Sequence, residues 1–210
     1  MSILTTRDRI LQTSLAMFNT HGLAAVSTQK IATEMGISSG NLHYHFKTKQ
    51  AIVERLFSRF AQRLEELDAA YADIGAIDDL WLSLHLRFEA ISEYQFIYRD
   101  MPYLSAEYPV LGRRSQDLTA TNLLAAQALC EGLVAAGVMK ASDEQARILA
   151  LQLVFTTSCW LSFERLVPGR EPQKSADPGL AAFYTLTLFS PYVSSDAHTY
   201  LDYLRSKYLR

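Results

Sequence analysis

Apolar side chains return every three or four positions along this chain, nearly from end to end. That is the period of an α-helix buried along one side, and a half-buried strand cannot reproduce it. Runs such as Ile10, Leu11, Leu15 and Phe18, or Ile52, Val53, Leu56, Phe57, Phe60, Leu64 and Leu67, follow it closely. No pair of alternating runs is joined by hairpin chemistry, and there is no internal repeat or low-complexity tract. The expected fold is all-α.

Caps and breakers divide the helical pattern. A first helix is expected over about 6–21, capped by Thr5 or Thr6 and stopped at Gly22. A second, over 28–35, is capped by Ser27 and stopped at Gly36, with Ile31, Ala32 and Met35 facing inward. A third, over 39–45, is capped by Ser38 and anchored by Leu42, with Phe46 packed beneath. A long fourth helix, over 48–71, joins this small head to the rest of the chain. Further helices are expected over 78–94, 95–106 (broken by Pro102), 109–136, 143–166, 179–190 and 195–208, with one clear loop at 167–179. The domains are therefore set at 1–49 and 50–210.

Charge is unevenly spread. The chain of 210 residues has a net charge of −2. Residues 1–50 carry five basic and two acidic side chains, and the remainder fifteen and twenty. A basic head on an acidic body suits a protein that sets one end on phosphates, and argues against indiscriminate compaction of nucleic acid. The two cysteines, Cys130 and Cys159, lie in apolar helical stretches and are expected to be buried free thiols. No run of about 18 uninterrupted apolar residues suggests a membrane span, and the N-terminus does not read as a signal peptide. The cytoplasm is the expected compartment.

The segment STQKIATEMGISSGNLHYHFKTK, residues 27–49, has the form of a helix-turn-helix whose second helix faces a groove. Ser38, Ser39 and Gly40 are small enough to let a sugar-phosphate backbone approach, and their amides and hydroxyls can donate to phosphate oxygens. Asn41 has the geometry for a bidentate contact with a base edge, adenine above all. His43, Tyr44 and His45 are planar and donor-bearing; Lys47 and Lys49 supply positive charge; Ser27 and Thr28 can meet the opposite wall of the groove. Ser27 and Ser38 can cap as well, and His45 can serve in packing. No metal set is formed, because His43 and His45 are two apart on a helix and point in different directions.

This segment resembles the DNA-binding domain of the TetR (tetracycline-repressor) family of bacterial regulators. The matching residues are Phe18 and Gly22, Ser27 before Ile31-Ala32, Gly36-Ile37-Ser38, Gly40-Asn41-Leu42, Tyr44-His45-Phe46 and Lys49. Two positions depart from the family pattern: His43 stands where Tyr is common, and Lys30 where an acid is common. The resemblance implies an N-terminal three-helix domain that binds double-stranded DNA at a palindromic operator. It also implies a larger C-terminal helical domain for homodimerisation and binding of a small-molecule effector.

Two features beyond residue 50 agree with this. Stretches 143–166 and 179–190 are apolar on nearly every face, so they must be buried all round, most simply by pairing across a two-fold axis. Trp81, His85 and Phe88 share one helix face, Tyr94, Tyr98, Tyr103 and Tyr108 crowd the broken region after it, and Phe155 lies on the apolar helix 143–166. These residues suit the wall of a pocket for an apolar or aromatic molecule; they equally suit an aromatic core. Arg99 and Asp100 are expected as rim charges or a surface pair. No nucleophile with an acid–base partner, no phosphate-cradling glycine loop and no metal set is apparent, so neither an enzyme nor a cofactor is expected.

Overall fold

A computed structural model describes residues 5–70, 76–167 and 177–208. The end of the expected fourth helix at 71 and residues 168–176 of the expected loop lie outside the described residues. Among those described there are eleven α-helices and one short 3-10 turn. The one pairing of strand type among the described residues is an isolated antiparallel bridge between Met139 and Val193. The chain divides into two compact units, Met1–Gln62 with Tyr94–Ser115, and Arg63–Glu93 with Gln116–Arg210.

The first unit begins with α1 (Thr6–His21), α2 (Thr28–Glu34) and α3 (Ser39–His45). Thr5 Oγ1 accepts from Asp8 N–H at 3.2 Å and donates to the Asp8 carboxylate at 2.6 Å. Gly22, at φ +87°, ends α1 by donating its N–H to Phe18 O. Gly36, at φ +65°, turns the chain between α2 and α3, a conformation that disfavours any residue with a Cβ. Ile10, Leu11, Phe18, Leu23, Ile31 and Leu42 are almost wholly buried and form the centre of this three-helix cluster. Leu15 and Met35 reach only intermediate burial; Ser14 takes the inward place on α1, with its hydroxyl unpaired.

The same unit holds the start of α4 (Lys49–Ala70), then α6 (Gln95–Arg99), α7 (Met101–Glu107) and the start of α8 (Pro109–Ala135). The break expected at Pro102 falls instead at Asp100, because proline sits comfortably in the first turn of a helix, where its missing N–H costs nothing. Nor are Arg99 and Asp100 a loose surface pair. The Arg99 guanidinium donates to Phe18 O and Asn19 O, each at 2.5 Å. Asp100 accepts from Leu23 N–H at 2.6 Å, and Asn19 Oδ1 accepts from Phe96 N–H at 3.1 Å. Together they join the end of α1 to the start of α6 through backbone groups of both.

The second unit contains α5 (Ile77–Glu93), α9 (Asp143–Glu164), α10 (Pro178–Leu186), the 3-10 turn Thr187–Phe189 and α11 (Ser195–Tyr208), with the remainders of α4 and α8. Ser142 and Gln145 close a reciprocal capping box on α9, and Asp177 caps α10. The expected helix over 179–190 is shorter, because its last turn tightens to 3-10. The bland interior is Leu80, Leu84, Phe88, Ala181, Ala182 and Leu186.

Within one copy, α9 is not buried on every side. Ile148, Leu151, Phe155, Phe163 and, just past its end, Leu166 form an exposed apolar stripe. Cys159 lies on that stripe and is exposed, contrary to expectation; Cys130 is buried, and burial pushes its thiol up to about 12. By length and composition alone α8 and α9 could cross a membrane, although polar residues interrupt their apolar runs.

Candidate nucleic-acid interface

The candidate recognition element is α3, and its geometry follows from two residues. Ser38 Oγ accepts from Asn41 N–H at 3.1 Å and sets the start of the helix. Leu42, with no exposure, pins the helix from behind, and Phe46 is buried at its end. With the apolar side committed, the remaining positions face solvent. Ser39, Gly40, Asn41 and His43 are exposed, Tyr44 is 78% exposed, and Lys47 is exposed beyond them. His45 is half-buried and stands edge-on to Tyr44, with ring centres 5.2 Å apart. On α2, Ser27 caps by accepting from Lys30 N–H at 3.2 Å; it is exposed, and Thr28 beside it is half-buried.

Four details refine the expected set. His43 Nδ1–H donates to Lys47 O at 3.1 Å, which orients the ring. Lys49 is turned inward. Its ammonium donates to Leu23 O at 2.5 Å and lies over the rings of Phe18 and Tyr103, and burial pulls its pKa down. In this arrangement Lys49 ties α4 to the end of α1 and does not point outward with Lys47. Lys30, standing where an acid would complete a capping box, donates to Ala25 O at 2.8 Å. Arg7, which the sequence reading passed over, is exposed and lies 5.2 Å above the Phe46 ring, so it adds a cation near the end of α3. Its signal was a basic residue in the first turn of a helix, where the macrodipole disfavours one.

The aromatic residues expected to wall a pocket divide between the two units. Tyr94 and Tyr98 pack on Phe60 in the first unit, Tyr103 lies under Lys49, and buried Tyr108 has its hydroxyl pushed up to about 12. In the second unit Trp81 stacks on His85 at 5.1 Å, and Phe88 packs edge-on to Trp160. Phe155 is 66% exposed on the stripe of α9. A cavity of about 210 Å3 lies elsewhere in the second unit, lined by Asp68, Ser83, Leu84, Arg87, Asn122, Ala125, Ala126, Ala128, Leu129, Leu153, Val154 and Thr157. None of the eight aromatic-region candidates lines it. The sequence did carry a signal for its polar end. Asp68 follows Leu64 by four, and Arg87 follows Leu84 by three, so each charge sits on an otherwise inward stripe.

Among the described residues, no group of three His, Cys, Asp or Glu side chains could hold a metal ion. Comparison with known proteins places this architecture. The profile described as "Bacterial regulatory proteins, tetR family" matches residues 10–56, and that described as "TetR: Bacterial transcriptional repressor" matches residues 59–201. The chain belongs to the TetR family. Among its TetR relatives, the HTH-type transcriptional repressor KstR2 of Mycolicibacterium smegmatis is 34% identical over 102 residues, 45% of this chain and 48% of the relative. The chain thus spans about half the length of the curated relatives it matches. A TetR-family transcriptional regulator from Marinobacter aquaeolei VT8 superposes with a TM-score of 0.84 at 26% identity, over 98% of this chain and 99% of that one. The ketosteroid transcriptional regulator KstR2 of Mycobacterium tuberculosis shares the fold at a TM-score of 0.68 and 20% identity, over 92% and 98% of the two chains.

Proposed function

We propose that this TetR-family chain is a homodimeric transcriptional repressor that grips a palindromic operator and lets go when a small, largely apolar molecule enters the second unit. It is not an enzyme, and it works in the cytoplasm. The observation that carries this reading is the two-sidedness of α3, with Leu42 fully buried and Asn41, His43 and Tyr44 outward. Asn41 reads a base edge; Ser27, Thr28, Ser38, Ser39, His43, Tyr44, His45 and Lys47 meet phosphates or bases. Gly40 supports it, because a Cβ there would come no closer than 3.9 Å to any atom beyond its chain neighbours and its own helix backbone. The protein itself leaves room for a side chain; a close-approaching backbone would not.

The exposed apolar stripe of α9 supports pairing, since burying it against a second copy removes its contact with water. A dimer places two copies of α3 on half-sites about 34–36 Å apart, or a multiple of that. The relatives named as repressors favour repression.

Selection of bound DNA from a random pool by the purified chain tests the reading. The expected product is a palindrome bound more weakly as salt rises, by a power law with one unit of slope per phosphate contact, roughly. Recovery of no common sequence, or affinity indifferent to salt, would overturn it.

A further inference from the structure

The polar end of the cavity in the second unit is electrically balanced. Arg87 donates to the Asp68 carboxylate and reaches Asn122 Oδ1 at 3.5 Å. The Arg87 and Asp68 side chains are only 15% and 20% exposed, and Asn122 is buried. The rest of the wall is alanine, leucine and valine, apart from Ser83 and Thr157. The Thr157 hydroxyl proton is already directed at the carbonyls of Leu153 and Val154 on its own helix.

A charged occupant would upset this balance. An anion drawn to Arg87 would lie against Asp68, and a cation drawn to Asp68 would lie against Arg87. Either leaves one net charge in a partly dehydrated site, where an unpaired ion loses hydration that nothing replaces. Burial already pushes the Asp68 carboxyl up against the pull of Arg87, so the site tolerates its own charges with little margin. An uncharged group disturbs nothing: a hydroxyl can donate to Asp68 and accept from Arg87, and a carbonyl can accept from Arg87. Size narrows the choice further. A cavity of about 150 Å3 holds benzene, so about 210 Å3 holds one ring with a short substituent.

We infer that the effector of this chain is an uncharged, single-ring or similarly sized apolar molecule carrying one hydroxyl or carbonyl, seated with that group on Asp68, Arg87 and Asn122. The inference rests on the reading of the second unit as an effector-binding unit, and adds the chemical class of the effector.

Three compounds with one skeleton and different charge test it: benzyl alcohol, benzoate and benzylammonium, titrated calorimetrically into the full chain at neutral pH. Benzyl alcohol is expected to bind at least about tenfold more tightly than either ion, and Ala126→Leu, which fills the cavity, is expected to abolish that binding. Asp68→Asn, which leaves Arg87 uncompensated, is expected to bring benzoate to the top of the order. An ion that equals or exceeds the alcohol in the unaltered chain, or no binding by any of the three, overturns the inference. That order decides by itself, so a variant that fails to fold cannot conceal the answer. Operator binding measured without any of these compounds separates the two readings. A chain that binds operator but not the alcohol retains its role and loses this effector class; one that binds the alcohol and no operator does the reverse.

Discussion

Helices α3 and α9 make opposite uses of the same repeat. In α3 one buried leucine suffices, and the other side is a set of donors and acceptors left mostly to solvent. In α9 one side is buried through Leu149, Leu153, Thr157 and Trp160, and the other shows Leu151, Phe155 and Phe163 to solvent. A polar face left mostly to solvent advertises contact with something polar and variable. An apolar face without internal partners advertises contact with something apolar, and here a second copy of the chain is the simplest candidate.

The comparison can be broken most forcefully at the anchor of α3. Leu42→Ala should destabilise the first unit by about 2–5 kcal/mol, the usual cost of emptying a fully buried leucine site, read as a lower melting temperature together with lost operator binding. If melting is unchanged, Leu42 is not what holds the helix. Next comes the stripe of α9. Phe155→Asp should weaken self-association by about 2 kcal/mol or more, the range of interface hot spots, while the monomer stays folded. Sedimentation checks this, and an undisturbed dimer would move the interface off this face. Asn41→Ala and Tyr44→Ala should each reduce operator affinity by about 1–3 kcal/mol with melting unchanged. Normal binding by both would remove α3 from the interface.

Two smaller effects sharpen the contrast between outward and inward charge. Lys47→Ala should lower the salt slope of DNA binding by about one without altering stability. Lys49→Ala should do the reverse, since its ammonium serves Leu23 O. The smallest effect is expected at Asp8, whose carboxyl is held below its ordinary value of 3.8 by hydrogen bonds from Thr5 and Arg59. A carboxyl with a lowered folded-state pKa contributes stability above its unfolded value and loses it as pH falls below that value. Melting curves of Asp8→Asn and the unaltered chain should therefore differ slightly at pH 6 and converge as pH falls well below 3.8.

Most helix boundaries could be read in advance because their signals are local. Thr5, Ser27, Ser38 and Ser142 cap the helices they precede, and Gly22, Gly36 and Gly137 carry the positive φ that stops them. The face of α3 was legible for the same reason: one leucine among polar neighbours leaves one way to turn the helix. The cavity was not legible. Aromatic residues are conspicuous in a sequence, but Phe60, Tyr94 and Tyr98 found one another in packing. The space opened beside alanines, which leave room because they are small. The fate of Lys49 was hidden too, because one lysine side chain can swing to solvent or to a carbonyl 26 residues away, and spacing cannot tell which.

At seven residues, α3 falls well short of the dozen or so that an isolated peptide needs to stay helical in water. A synthetic fragment carrying Asn41 and Tyr44 would therefore be a random coil with little grip on the major groove. Competing such a protein off its site calls for the whole folded head or for altered DNA, and a short peptide mimic is the wrong starting point for an inhibitor.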